Sequence, residues 1–129
     1  MILITCIDNR KGIMFNKRRV SKDALLIERL KGITKGNKIY VSEYSKPLFE
    51  GFDNLAFSIE NLTNNDFYFL EDEDYNEKID KIIIYKWNRD YPADKYFNIN
   101  LSNYKLISTQ DFAGSSHDLI TEEIYIKEN

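Results

Sequence analysis

One cysteine, Cys6, stands among 129 residues, which excludes an intramolecular disulfide and a cysteine-rich metal centre. Two prolines and five glycines leave little chain for linkers, and no repeat or low-complexity segment is present. The length fits one domain able to bury about two thirds of its unfolded surface. Long apolar runs are missing as well. The N-terminal Met-Ile-Leu-Ile-Thr-Cys-Ile stops at Asp8, too early for a membrane span or the apolar stretch of a secretion signal. A cytoplasmic protein without a membrane partner is expected. Histidine occurs once. His117 follows Ser115-Ser116 with Asp111 and Asp118 nearby, the residue types of a hydrolase, but neighbours on an extended chain point to opposite faces. Asp111 to Ser116 therefore reads as a loop or bulge joining the last two strands.

Hydrophobic residues make up 43% and aromatic residues 14%, far from the composition of a disordered chain. The net charge of −3 argues against a nucleic-acid partner, yet the charge is segregated. Residues 1–46 carry eleven Lys and Arg against four Asp and Glu, and residues 47–129 seven against seventeen. Arg10, Lys11, Lys17, Arg18 and Arg19 form a basic loop, the candidate for an anionic ligand or acidic partner. Nucleic acid is the less favoured occupant, because no aromatic-and-glycine pattern of a nucleic-acid module accompanies the loop. Glu71-Asp72-Glu73-Asp74 offers oxygens to a hard cation but lacks the spacing and turn glycine of a calcium loop, so a solvated turn and no metal are expected.

The isoleucine-rich run Ile2 to Ile7 reads as a strand covered on both faces, and the polar, basic Asp8 to Val20 as a loop. Ser21 offers an N-cap oxygen to a helix from about Lys22 to Ile33, with an apolar stripe of Leu25, Leu26, Ile27 and Leu30 ended by Gly36. Lys38 to Val41 is the next strand, and Ser45 caps a short helix through Phe49. Leu55 to Ile59 is ambiguous between strand and helix. Phe67 to Leu70 and Lys81 to Trp87 are strands, with Asp74 to Ile79 a short helix or turn between them. Lys105 to Phe112 and Leu119 to Lys127 close the chain as an antiparallel pair. Strands alternating with helices predict an α/β fold, a mainly parallel sheet flanked by helices. Cys6 reads as a small buried hydrophobe. Tyr85 and Trp87 share one face of their strand, either as core or as a platform for a ligand.

Asp80-Lys81-Ile82-Ile83-Ile84-Tyr85-Lys86-Trp87, then Pro92-Ala93-Asp94-Lys95-Tyr96-Phe97, then Leu101-Ser102-Asn103-Tyr104-Lys105-Leu106 resembles the closing half of dihydrofolate reductase. That family reads as an aspartate, an apolar strand, Gly-Asp-Thr-Tyr-Phe and Leu-Ser-Glu-Trp-Lys-Leu. Ile7-Asp8 with Gly12-Ile13 is similar to the family's first strand and the start of its active-site loop. Thr34-Lys35-Gly36-Asn37-Lys38-Ile39 is similar to its Thr-x-Gly-x-x-Val entry into the second strand. The resemblance covers about three quarters of the chain. It implies a dihydrofolate-reductase-like sheet, truncated in the adenosine-binding half because Phe52 to Asp66 is short for the family's strand, helix and strand.

Chemistry is where this chain departs from the family. The carboxylate that binds the pterin and supports its protonation falls on Leu26, and Asp23 lies one helical turn earlier, the candidate catalytic acid if the register slips. Tyr85 replaces the threonine that contacts the pterin, and Met14, Leu26, Tyr85 and Trp87 are the candidate substrate-cleft residues. The phosphate-binding Gly-Arg-x-Thr becomes Ser42-Glu43-Tyr44-Ser45, and Gly-Gly becomes Glu71-Asp72. Carboxylates there oppose a dinucleotide phosphate, and their side chains obstruct the close backbone approach that glycine allows. The expected function is a noncatalytic binding or regulatory module for an unidentified small molecule or protein, with no cofactor. The alternative is an NADPH-dependent reductase of folate or a pterin-like substrate.

Overall fold

A computed structural model describes residues 1–75 and 79–128. Six strands form the main sheet in the order β4-β5-β1-β6-β9-β8: β1 (Ile2–Ile7), β4 (Ile39–Tyr40), β5 (Phe67–Phe69), β6 (Lys81–Lys86), β8 (Tyr104–Phe112) and β9 (Ile120–Lys127). β1 lies between β5 and β6 and is parallel to both, with Ile4 opposite Phe69 on one side and Ile83 on the other. β4 extends the parallel part, while β9 and β8 add antiparallel strands on the far side. A sheet buried on both faces needs apolar residues at successive positions. β1 and β6 supply them.

Alternation along the strands divides the interior into two cores. Ile4, Phe67, Phe69, Ile83, Tyr85 and Trp87 face one way and pack against Leu26 and Leu30 of the helix α1 (Ala24–Thr34). Leu3, Ile7, Tyr68, Ile82 and Ile84 face the other way, towards Ile13, Met14 and Phe97. Burying Leu26 and Leu30, each no more than 1% exposed, stabilises the helix docking by about 1.5–3 kcal/mol per side chain. Among the described residues α1 is the only α-helix flanking the mainly parallel sheet. Between β4 and β5 the chain makes two 3-10 turns, Lys46–Phe49 and Ile59–Asn61, and one isolated bridge from Ile39 to Leu55. Of residues 74–79, expected as a helix or turn, 76–78 lie outside the described residues.

Two further local expectations are corrected. Asp8 to Val20 is not a loop but contains the hairpin β2 (Gly12–Phe15) and β3 (Arg18–Arg19), which joins β7 (Lys95–Tyr96) in a second, three-stranded sheet. The two-residue turn at Asn16 and Lys17 has φ of +51° and +64°, the left-handed pair that matches the twist of adjoining strands. The arginines on β3 mask the alternation that would reveal a strand. Asp23 rather than Ser21 caps α1, with Oδ1 accepting from the N–H groups of Leu25 and Leu26 at 2.9 and 3.2 Å. The chain leaves the helix through Gly36 at φ +88°. Ser45 precedes the first 3-10 turn without a side-chain capping bond.

Candidate functional site

Parallel strands place their carboxyl ends along one edge of the sheet, where ligands of α/β folds bind. Here that edge receives Ser42 after β4, Glu71 and Asp72 after β5, Asp8 after β1, and Trp87 and Tyr91 after β6. Arg19 of β3 and Ser21 and Asp23 ahead of α1 approach from outside the sheet. Two hydrogen-bonded networks result.

The first is built on Asp23, 3% exposed. Besides capping the helix, Oδ1 accepts from Ser115 N–H at 2.9 Å, and Oδ2 accepts from Ser116 N–H at 2.9 Å and contacts His117 Nδ1 at 2.9 Å. Both serine hydroxyls reach the same carboxylate at 3.2 Å. Burial pushes the Asp23 carboxyl up; the Ser115 and Ser116 N–H groups, His117 and the Leu26 N–H pull it down and prevail, so the group is ionised and held well below the usual carboxylate range. The ionised carboxylate can only accept, so His117 donates to it through Nδ1. His117 Nε2 lies 2.9 Å from Ser21 Oγ and 3.2 Å from the Tyr91 hydroxyl, and Tyr91 donates to Ser21 Oγ at 3.3 Å. The imidazole is buried and stacks on Trp87, ring centroids 4.6 Å apart at 26°.

The second network is an internal ion pair. Arg19 forks onto Glu71 through Nε at 2.8 Å and Nη2 at 3.0 Å, lies over the Tyr44 ring at 4.7 Å, and shares Glu71 with the buried Ser45 hydroxyl at 2.8 Å. Ser42 donates to Asp72 at 2.5 Å, Tyr40 to Glu73 at 3.0 Å, and Lys95 lies 3.3 Å from Asp74. The acidic run is thus divided among different hydroxyls and cations, and no cluster of metal-ligating side chains occurs among the described residues.

An open groove of about 550 Å³ runs beside these networks, lined by Arg19, Lys22, Ala24, Ile27, Leu48 and Ser116 among others. A void of about 10 Å³ sits deeper, walled by Cys6, Ser21, Leu26, Phe69, Glu71 and Trp87, room for about one water. Of the sequence candidates, Asp23 lines both spaces, and Leu26 and Trp87 line only the void. Tyr85 lines neither: it is fully buried, and its hydroxyl donates to Glu122 at 2.7 Å, where Arg29 also binds at 2.9 Å. Met14 belongs to the opposite core and lines a separate hollow with Asn16, Lys17, Tyr44, Asp72, Asp94 and Lys95. Arg10, Lys11, Lys17 and Arg18 are exposed, whereas Arg19 is committed to Glu71.

The sequence offers Ser21 only as a helix cap, gives Tyr91 no role, and sets His117 beside Asp111 and Asp118 rather than Asp23. The available signal was the Gly114-Ser115-Ser116-His117 turn. A Cβ on Gly114 would collide with Asp23 Oδ2 and stand 2.8 Å from Asp23 Cγ, so this glycine is what lets the turn close on the carboxylate.

No known family model matches the chain, and no curated protein matches it in sequence. Among solved structures, the dihydrofolate reductase of Enterococcus faecalis complexed with NADP(H) and RAB-propyl is similar over 99% of this chain and 96% of that chain, with a TM-score of 0.70 and 11% sequence identity. The fold is dihydrofolate-reductase-like.

Proposed function

We propose that this domain, sharing the dihydrofolate reductase fold, is a binding module that transfers no hydride to a folate. The observation that carries this reading is the occupancy of Asp23. A pterin-binding carboxylate needs free oxygens facing the cleft, and both Asp23 oxygens are held by α1, Ser115, Ser116 and His117. The space beneath it takes about one water, far less than a pterin ring. The ligand, a small molecule or a segment of a protein, lies instead in the groove bordered by Lys22, Ile27 and Leu48.

The reductase alternative is favoured by one observation, the NADP(H) in the solved structure that shares the fold. The residues at the strand ends do not fit that cofactor. Glu71 and Asp72 stand after β5 and Glu43 after β4, and a carboxylate at 4 Å from a phosphate costs about 1 kcal/mol in water and about 4 at an effective dielectric near 20. Arg19, a cation at this edge, is already bonded to Glu71.

Thermal unfolding with NADPH and, separately, methotrexate tests the reading, since a ligand that prefers the folded state at 100 times its Kd adds about 2.7 kcal/mol. No shift with either compound at millimolar concentration is expected. A saturable rise with NADPH would make the reductase reading primary.

A further inference from the structure

The geometry points to Ser21 as an activated nucleophile and to the adjoining groove as the seat of a carboxylic ester, making the domain a hydrolase of small acyl esters. This rests on the reading above only in placing a ligand in that groove. Hydroxyl and carboxylate come from one segment, Ser21 and Asp23 at the start of α1, and the imidazole from the β8–β9 connection, His117. The links are 2.9 Å from Ser21 Oγ to His117 Nε2 and 2.9 Å from His117 Nδ1 to Asp23 Oδ2. A nucleophile, a base within hydrogen-bond reach and a third group orienting the base define such relays on unrelated folds, whatever their order in sequence.

Each member has the environment its role needs. The orienting carboxylate must be buried, ionised and immobile, and Asp23 is pinned by the Ser115 and Ser116 N–H groups while it caps α1. The base must keep one tautomer and one ring plane, and stacking on Trp87 fixes the plane. The nucleophile must be reachable. Ser21 is half-buried, and its void shares Lys22, Asp23, Ile27 and Leu48 with the open groove. The groove offers Ala24, Ile27 and Leu48 to an acyl chain, and only the carbonyl, in place of the one water the void can hold, enters past the shared Lys22 and Leu48 to meet Ser21. Lys22, which lines both spaces, is the cation at hand for the developing oxyanion.

Ser21 Oγ attacks the carbonyl carbon as its proton passes to His117 Nε2. The tetrahedral adduct collapses by breaking the ester C–O bond, and the leaving alcohol takes that proton. Water, giving a proton to Nε2, then attacks the acyl-serine. The acid departs and Ser21 regains its hydrogen, so ester and water become acid and alcohol with no redox change.

The test uses the full chain with a fluorophosphonate probe, read by intact mass and peptide mapping, alongside para-nitrophenyl butyrate hydrolysis. One adduct on Ser21 is expected, absent in Ser21→Ala and formed roughly a hundredfold more slowly in His117→Gln, with ester turnover lost in parallel. Ser21→Cys, nearly isosteric, keeps a nucleophile there; its alkylation by iodoacetamide is expected to slow when His117→Gln is added. No adduct on the folded wild-type protein, or an adduct that persists in Ser21→Ala, overturns the proposal, as does equal alkylation of the cysteine variant with and without His117. These readouts are independent of NADPH-induced stabilisation, so the two proposals fail separately.

Discussion

Replacing Asp23 by asparagine separates a structural carboxylate from a ligand-binding one. Asparagine caps a helix about as well as aspartate, so the bonds from Leu25 and Leu26 to Oδ1 survive and α1 keeps its start. The loss falls on the other oxygen. In the variant an NH₂ group faces Ser116 N–H, 2.9 Å from the lost acceptor, and two donors meet with nothing between them. An unsatisfied buried donor costs about 1–3 kcal/mol, and a bond to a charged group contributes about 1.5–3. His117 relieves part of this by changing tautomer and accepting from the new NH₂. The expected loss at neutral pH is about 2–4 kcal/mol, measured by urea unfolding at constant m. Acidity supplies the second readout. The folded-state carboxyl is lowered, so its contribution is complete above the ordinary aspartate value of about 3.9 and disappears as pH falls through the lower folded value. The gap between wild type and Asp23→Asn therefore narrows on acidification below about pH 4. A variant within about 0.5 kcal/mol of wild type, the range of an ordinary surface change, would refute the claim that Asp23 is committed to internal partners.

Gly114→Ala drives a methyl group against Asp23 and to within 2.9 Å of Ile120 Cδ1; neither the carboxylate nor the core residue Ile120 can withdraw, and a destabilisation of about 1–3 kcal/mol is expected by thermal unfolding. Removing Arg19 leaves Glu71, 7% exposed in its side chain, as an uncompensated charge, so Arg19→Ala is expected to cost about 3–5 kcal/mol. The double replacement Arg19→Leu with Glu71→Leu should recover most of that loss, and a double-mutant cycle without coupling would show that the pair is not a unit.

The fold was legible because its signals are local. An unbroken apolar run from Ile2 to Ile7, the strong strand at Lys81 to Lys86 and the closing antiparallel pair are each written in consecutive residues, and the sheet follows from their order. The Asn16-Lys17 turn was also local, but the charges of Arg18 and Arg19 hid the strand beyond it, and Arg19 faces inward only because Glu71 receives it. Tyr85 shows the limit of periodicity. Alternation correctly puts it on one face with Trp87, yet whether that face is core or cleft depends on Glu122 and Arg29, which arrive from β9 and α1. The site itself is non-local: His117 and Asp23 are 94 positions apart, and the hydroxyl that completes the network, Ser21, looked like a helix cap.

The difference of one helical turn between Leu26 and Asp23 decides what the carboxylate does. A side chain inside the first turn projects from the helix towards the sheet edge, whereas a cap residue has extended backbone, here φ −154° and ψ 128° at Asp23, and turns its carboxylate back onto the helix N–H groups. Leu26, occupying the inward position, closes the space with an apolar side chain that is 1% exposed. Asp23, at the cap, is reachable from the β8–β9 connection, and Gly114 lets that connection approach. The cap position therefore gives the lone histidine an ionised partner at Nδ1 and leaves Nε2 facing Ser21.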